Sequence, residues 1–219
     1  SGMVESFSFT SLAEKILSTE GGAAVQTLSD AGRAVLVRRA LEELQDNVHY
    51  YHRHRRSAAF CQMAAQTIDE LKSAGLSGQQ LAQLAGACGA ESGKLSELAL
   101  IFQGYETLLA RSGMDPSDRL ELAGARLEEA LARHSLPEFL RDRAVFIDEF
   151  DTFNAPKKRL LGAMLAALPS VTVALCDDGA PLLPGDLSLF SGAKQVAAQL
   201  RRPLLGPGLL YPSPRPRDA

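Results

Sequence analysis

Along the first 140 residues apolar side chains recur at every third or fourth position, and Gly or Ser-Gly breaks interrupt the pattern. That period predicts about six helices, each with one apolar stripe. A short helix is expected over Ser8 to Leu17. The next, capped by Ser29 or Asp30, runs through Val35, Leu36, Ala40, Leu41 and Leu44. The run from Ala58 to Lys72 stops at Gly75, which accepts a left-handed conformation, and Ser77-Gly78-Gln79-Gln80 opens a short helix with Leu81 and Leu84 inward. A longer helix carries Leu95, Leu98, Ile101, Phe102, Tyr105, Leu108 and Leu109. Asp115-Pro116 then reads as an N-cap with proline at the first helical position, leading into Leu120, Leu122, Leu127 and Leu131.

After Pro137 the pattern changes. Ala144-Val145-Phe146-Ile147 and Val171-Thr172-Val173-Ala174-Leu175 are short apolar runs without helical period, which predicts buried parallel strands. Pro156 to Leu168 lies between them as an amphipathic crossover helix, so residues 144–176 form one strand–helix–strand unit. From Pro203 onward the Pro-, Gly- and Arg-rich sequence has no packing pattern and predicts a loop or disordered tail. Ser1-Gly2 reads as a cleavage remnant of expression. The expected organisation is therefore a start at residues 1–6, a mostly helical region at 7–140, a strand–helix–strand part at 141–202 and a tail at 203–219.

Composition narrows the class. The 219 residues are 46% hydrophobic, enough to bury a substantial core. With 23 basic and 26 acidic residues the net charge is -3, so any nucleic-acid contact must come from a local patch. Cys61, Cys88 and Cys176 lack zinc or redox spacing, and their odd number argues against a secreted disulfide framework; a reducing cytoplasm is the expected setting. No run approaches the length of a membrane span.

The segment with most chemistry is Val145 to Asn154. A strand ending in Asp148-Glu149 places two carboxylates at the carboxyl edge of a parallel sheet, where ligands of open α/β folds sit. In nucleotide hydrolases the first acid helps hold Mg²⁺ and the second orients the attacking water, the roles Asp148 and Glu149 would take. A strand exiting into a polar loop is the plain alternative. The residues that follow favour the first reading, because Asp148-Glu149-Phe150-Asp151-Thr152-Phe153-Asn154 resembles motif II of UvrD/Rep-class superfamily 1 helicases, with Asp151 where glutamine is usual.

Weaker likenesses occur in the same order over residues 7–200: Ser8 to Ala13, Ser73 to Ser77, Tyr105 to Leu109 and Asp115 to Leu120. Within that class the chain resembles the B subunit of AddAB (RexAB-type) helicase–nucleases. Cys176-Asp177-Asp178-Gly179-Ala180 lacks the glutamine that senses nucleotide in active helicases, and Leu189 to Lys194 is similar to the B subunit's continuation into a helix. The resemblance implies a predominantly helical α/β fold: part of the parallel sheet of a RecA-like P-loop domain with a large all-helical insertion. It implies DNA, as single strands or broken duplex ends, and a catalytic AddA-like subunit as partners. ATP and Mg²⁺ would serve the full-length parent, and no cofactor is expected here.

No Gly-x4-Gly-Lys-Ser/Thr loop occurs. Gly93-Lys94 comes nearest, but Leu95 stands in place of the hydroxyl residue and Cys88 in place of the first glycine. In the family this loop lies upstream of Phe7-Ser8-Phe9, and the nuclease domain with its iron–sulfur cysteines lies downstream.

The other candidate is His49-Tyr50-Tyr51-His52-Arg53-His54-Arg55-Arg56, a compact basic and aromatic run. It suits phosphate contacts by Arg53, Arg55 and Arg56 with base stacking, or is a solvated interhelical loop. Its histidines and His134 lack the partners of a metal site. Asp177-Asp178 reads as a polar turn before Gly179, ahead of the alternative of a second acidic contact at the sheet edge, and Arg38-Arg39 and Arg201-Arg202 as exposed helix faces. The resemblance implies a DNA-binding scaffold part of a helicase–nuclease subunit that processes double-strand breaks for recombinational repair. Two alternatives remain: a piece of an active UvrD-like helicase, and an all-helical interaction module without a nucleic-acid role.

Overall fold

The computed structural model describes residues 4–89, 92–148, 153–185 and 188–204. Glu149 to Thr152 and the tail from residue 205 lie outside the described residues. The chain divides into two units, residues 1–144 with 154–170 and residues 145–153 with 171–219.

The larger unit contains α1 (Phe9–Glu20), α2 (Asp30–Glu43), α3 (Ala58–Ser73), α4 (Gly78–Ala87), α5 (Ser92–Ser112), α6 (Pro116–Ala132) and α7 (Ala155–Ala167). Local chemistry sets their ends. Ser8, Ser29, Ser57, Ser77 and Asp115 each accept the backbone N–H three residues on, satisfying a donor that the first helical turn leaves unpaired. At the end of α3, Gly75 takes a left-handed φ of 83° while Leu76 N–H returns to the Leu71 carbonyl, closing the helix.

α2, α3, α4 and α5 surround a core that includes Val37, Leu41, Ile68, Leu81, Phe102 and Tyr105. α6 packs on α1 and α7 through buried Ile16, Leu17, Leu127, Leu160 and Leu161. Arg159 on α7 clamps α6, donating to Glu121 and Glu128 at 2.8 and 2.9 Å. The expected inward Leu84 is half exposed. The face of α4 that packs on α5 is set instead by Leu81 and, one full turn on, Ala85.

Between these helices lies a buried polar junction. Asp115, 1% exposed, accepts from Lys72 at 2.6 Å and from the Tyr105 hydroxyl at 3.4 Å, and its other oxygen caps α6. Lys72 also reaches Asp118 at 2.5 Å. Arg33 bridges Asp30 and Asp69, and Ser117 bonds Asp69. One turn along α6, Arg119 grips the Glu14 carboxylate of α1 and donates to the Val25 carbonyl at 2.6 Å. Beside this junction residues 26–28 pair with Met114, so closely that a Cβ on Gly113 would lie 2.5 Å from the Gln26 carbonyl oxygen.

The smaller unit holds the parallel strands β1 (Ala144–Ile147) and β2 (Ser170–Val173), each beginning at the unit's boundary, and α8 (Ser191–Leu204). Ala174 N–H donates to the Ile147 carbonyl at 2.8 Å, extending the ladder past β2. The strands expected to be buried are not: Phe146 is 75% exposed, and of the eight strand residues Ile147 alone is buried. A parallel strand becomes buried when both sheet faces are covered, and among the described residues β1 has β2 as its one neighbour. The pair nonetheless makes the chain α/β, against the all-helical alternative. α8 runs to Leu204, so Pro203, expected to begin the tail, lies within a helix.

Lys72 is the cation shared by Asp115 and Asp118, and Lys72→Met should destabilise the protein by about 3 kcal/mol near neutral pH by leaving the buried Asp115 carboxylate without its counter-charge and facing the half-buried Asp118. Burial and the Asp115 charge already raise the Asp118 pKa. The folded state therefore holds that proton more tightly than the unfolded chain, and stability from this group grows as pH falls. Urea unfolding should show the difference between variant and wild type narrowing towards acidic pH.

Candidate functional site

The basic and aromatic run occupies the connection from α2 to α3. Val48 is fully buried and pins its start, and His52–His54 form one tight helical turn. Its organiser is Glu97 on α5, 6% exposed. The Glu97 carboxylate accepts the backbone N–H groups of His49 at 2.7 Å, Tyr50 at 2.8 Å and Tyr51 at 3.2 Å. Three successive amides converging on one anion fix the loop backbone.

That backbone presents a set of rings. Phe60 from α3 stacks with Tyr51 and with His54 at centroid distances of 5.6 and 5.2 Å. Tyr50 lies against Gly93 on α5, where a Cβ would come within 3.2 Å of its ring. With Arg53, Met63 and Lys94 these rings line an open cleft of about 460 Å³. Arg53 is exposed and donates to His54 Nε2 at 3.0 Å; Arg56 is exposed; Arg55 is half-buried and donates to the His52 carbonyl at 3.2 Å. The three arginines thus share one loop, with Arg55 partly committed to holding its shape.

At the second candidate, in the smaller unit, Asp148 follows β1 directly and is exposed. Because the strands are parallel, the segment leaving β2 starts from the same edge. There Asp177 accepts from Gly179 N–H at 3.1 Å and Asp178 from Ala180 N–H at 2.9 Å, forming the expected polar turn. Lys194 of α8, 7% exposed, contacts Asp178 at 2.6 Å and holds its carboxyl below the ordinary carboxylate range. Asn154, the last residue of the acidic motif, caps α7 by accepting from Lys157 N–H at 3.1 Å. Glu149 lies outside the described residues. Among the described residues no group of three or more His, Cys, Asp or Glu side chains could hold a metal ion. Magnesium commonly takes one or two carboxylates and fills its shell with water and nucleotide phosphates, so Asp148 would be a single member of such a shell.

The sequence does not single out Glu97, Phe60 or Met63, and it offers Lys94 and Lys194 in other settings, a rejected phosphate loop and a helix start. A signal existed for Glu97, an acid four residues before Ile101 and so in register with the apolar face of α5. None existed for Phe60 and Lys194, whose partners Tyr51, His54 and Asp178 lie beyond the three- or four-residue reach of a helical pattern.

The family model described as "ADDB, N-terminal" matches residues 2–205. The chain belongs to that family. Several relatives are named as the B subunit of an ATP-dependent helicase/deoxyribonuclease. That of Moorella thermoacetica is 30% identical over 217 residues, covering 94% of this chain and 18% of the relative. That of Heliobacterium modesticaldum is 31% identical over 179 residues, 78% of this chain and 14% of the relative. The Clostridium perfringens protein is 27% identical over 210 residues, 94% and 17% respectively. The AddB N-terminal chain described here thus spans less than a fifth of the length of these relatives. No helix among its described residues is long and apolar enough to cross a membrane.

Glu97 is the anchor of the loop, and Glu97→Ala should cost about 1–3 kcal/mol by stranding the amides it satisfies. Hydrogen exchange provides the sharper measurement. The amides of His49, Tyr50 and Tyr51 should lose protection in the variant while those of the α5 interior keep theirs; unchanged protection at the loop would remove Glu97 from this role.

Proposed function

We propose that this chain is the part of a helicase–nuclease B subunit that contacts DNA and supports a catalytic AddA-like subunit during processing of double-strand breaks for recombinational repair. Membership of the AddB N-terminal family is the observation that carries this reading. Support also comes from Asp148 at the carboxyl edge of adjacent parallel strands, the arrangement a helicase domain requires.

The proposed DNA contact is the loop carrying Arg53, Arg55 and Arg56. Two exposed arginines on a chain of net charge -3 allow a few phosphate contacts, hence weak, salt-sensitive binding without sequence preference. Asp148 and Glu149 are the proposed remnant of a nucleotide site. In a full-length parent that uses ATP, Asp148 would contribute one ligand to Mg²⁺ and Glu149 would act on the attacking water. Phosphoryl transfer also needs a phosphate cradle and its lysine, and the 219 residues contain no such motif.

Two measurements test this function. Arg53→Ala with Arg56→Ala should weaken binding to single-stranded or tailed DNA and flatten the dependence of affinity on salt by about one to two phosphate equivalents; unchanged affinity and slope would take the loop out of the DNA path. The chain should hydrolyse no appreciable ATP with or without single-stranded DNA. Turnover lost in Glu149→Ala would reveal a complete nucleotide site and overturn the remnant reading.

A further inference from the structure

The cleft beside the arginine loop has features that phosphate binding alone does not require. Its lining is largely aromatic and apolar, with Tyr50, Tyr51, Phe60 and Met63 making the walls and Arg53 and Lys94 supplying positive charge. No carboxylate lines it among the described residues. Its volume of about 460 Å³ lies within the range of about 300–1,000 Å³ typical of small-molecule sites. Tyr50 and Met63 are each 55% exposed, so the apolar surface is open to an entering group. A planar ring that also carries negative charge on its flanks matches this combination, and a nucleotide of a single strand has both.

We propose that this cleft seats one unpaired nucleobase against the Tyr50 ring, with Arg53 taking a neighbouring phosphate and Glu97 acting as the positioning residue that holds Tyr50 in place. The inference rests on the reading that this chain contacts DNA and adds the form of DNA it selects. A paired base has both faces covered by its neighbours and reaches such a seat only after unstacking, so the cleft favours single strands over duplex. Stacking is indifferent to base identity because every base has a π-face, in keeping with the absence of sequence preference expected of the loop. The anchoring is built in. Glu97 bonds the Tyr50 amide directly, and the missing side chain at Gly93 lets the ring lie close to α5.

The test compares three probes on the full 219-residue chain by fluorescence anisotropy: a short oligothymidylate, an abasic strand with equal phosphates, and a duplex of equal length. Oligothymidylate should bind about tenfold more tightly than the abasic strand, and more tightly than the duplex. Tyr50→Ala should erase the gap between oligothymidylate and the abasic strand, Tyr50→Phe should keep it, and Arg53→Ala should weaken both strands alike. The chain has four tyrosines and no tryptophan, so stacking can also be read in the wild type. Oligothymidylate should quench tyrosine fluorescence and the abasic strand should not. Equal affinity for oligothymidylate and the abasic strand, or a gap that survives Tyr50→Ala, would overturn the base seat and leave the phosphate contacts standing. Failure of every probe to bind at low salt would remove the DNA reading and the seat together.

Discussion

The architecture of the larger unit depends on how Asp115 is satisfied. An almost fully buried carboxylate is tolerated when hydrogen bonds and an opposite charge replace its water. Here Lys72 from α3, the Tyr105 hydroxyl from α5 and the first turn of α6 all converge on it. The group that starts α6 therefore also ties it to two helices of the neighbouring core. Arg119 repeats the device one turn later, joining α6 to α1 and to the Val25 carbonyl. Apolar packing brings these helices together but is not directional. The ion pairs fix which turn of α6 meets which turn of its neighbours.

A second buried carboxylate, Glu97, applies the same physics to a loop. Loops commonly leave backbone donors to solvent, but here three in succession are drawn onto one side chain from α5. The connection from α2 to α3 is consequently held by the helical core, and its rings and arginines have defined places relative to Phe60 and Gly93. A recognition surface built this way has little conformational freedom left to lose on binding.

The strand edge is constructed differently. Among the described residues Asp148 is exposed, Asp177 and Asp178 are committed to a turn, and Lys194 pairs with Asp178. The acidic motif at this edge has a structural role at its far end, where Asn154 starts α7. Asn154 thus has a helix-capping role that stands independently of any nucleotide chemistry.

Period and capping were enough to locate α1 to α7, and the loss of helical period both strands, since those signals operate between residues three or four apart: Ser29, Ser77 and Asp115 cap where they stand, and Gly75 stops α3. The helix after Leu189 is expected from the family likeness alone. The family likeness was legible for a similar reason, as short motifs in a fixed order. Tertiary structure decided what those signals do not encode. Leu84 faces outward because α4 meets α5 along Leu81 and Ala85, and the strands are exposed because burial depends on layers rather than on the strand's own composition. Above all, the charged residues that organise the molecule act on partners far along the chain: Glu97 across 48 residues to His49, Lys72 across 43 to Asp115, Arg119 across 105 to Glu14. A charge on a helix looks the same in sequence whether it points to water or to a buried partner, and only folding brings that partner within hydrogen-bonding distance.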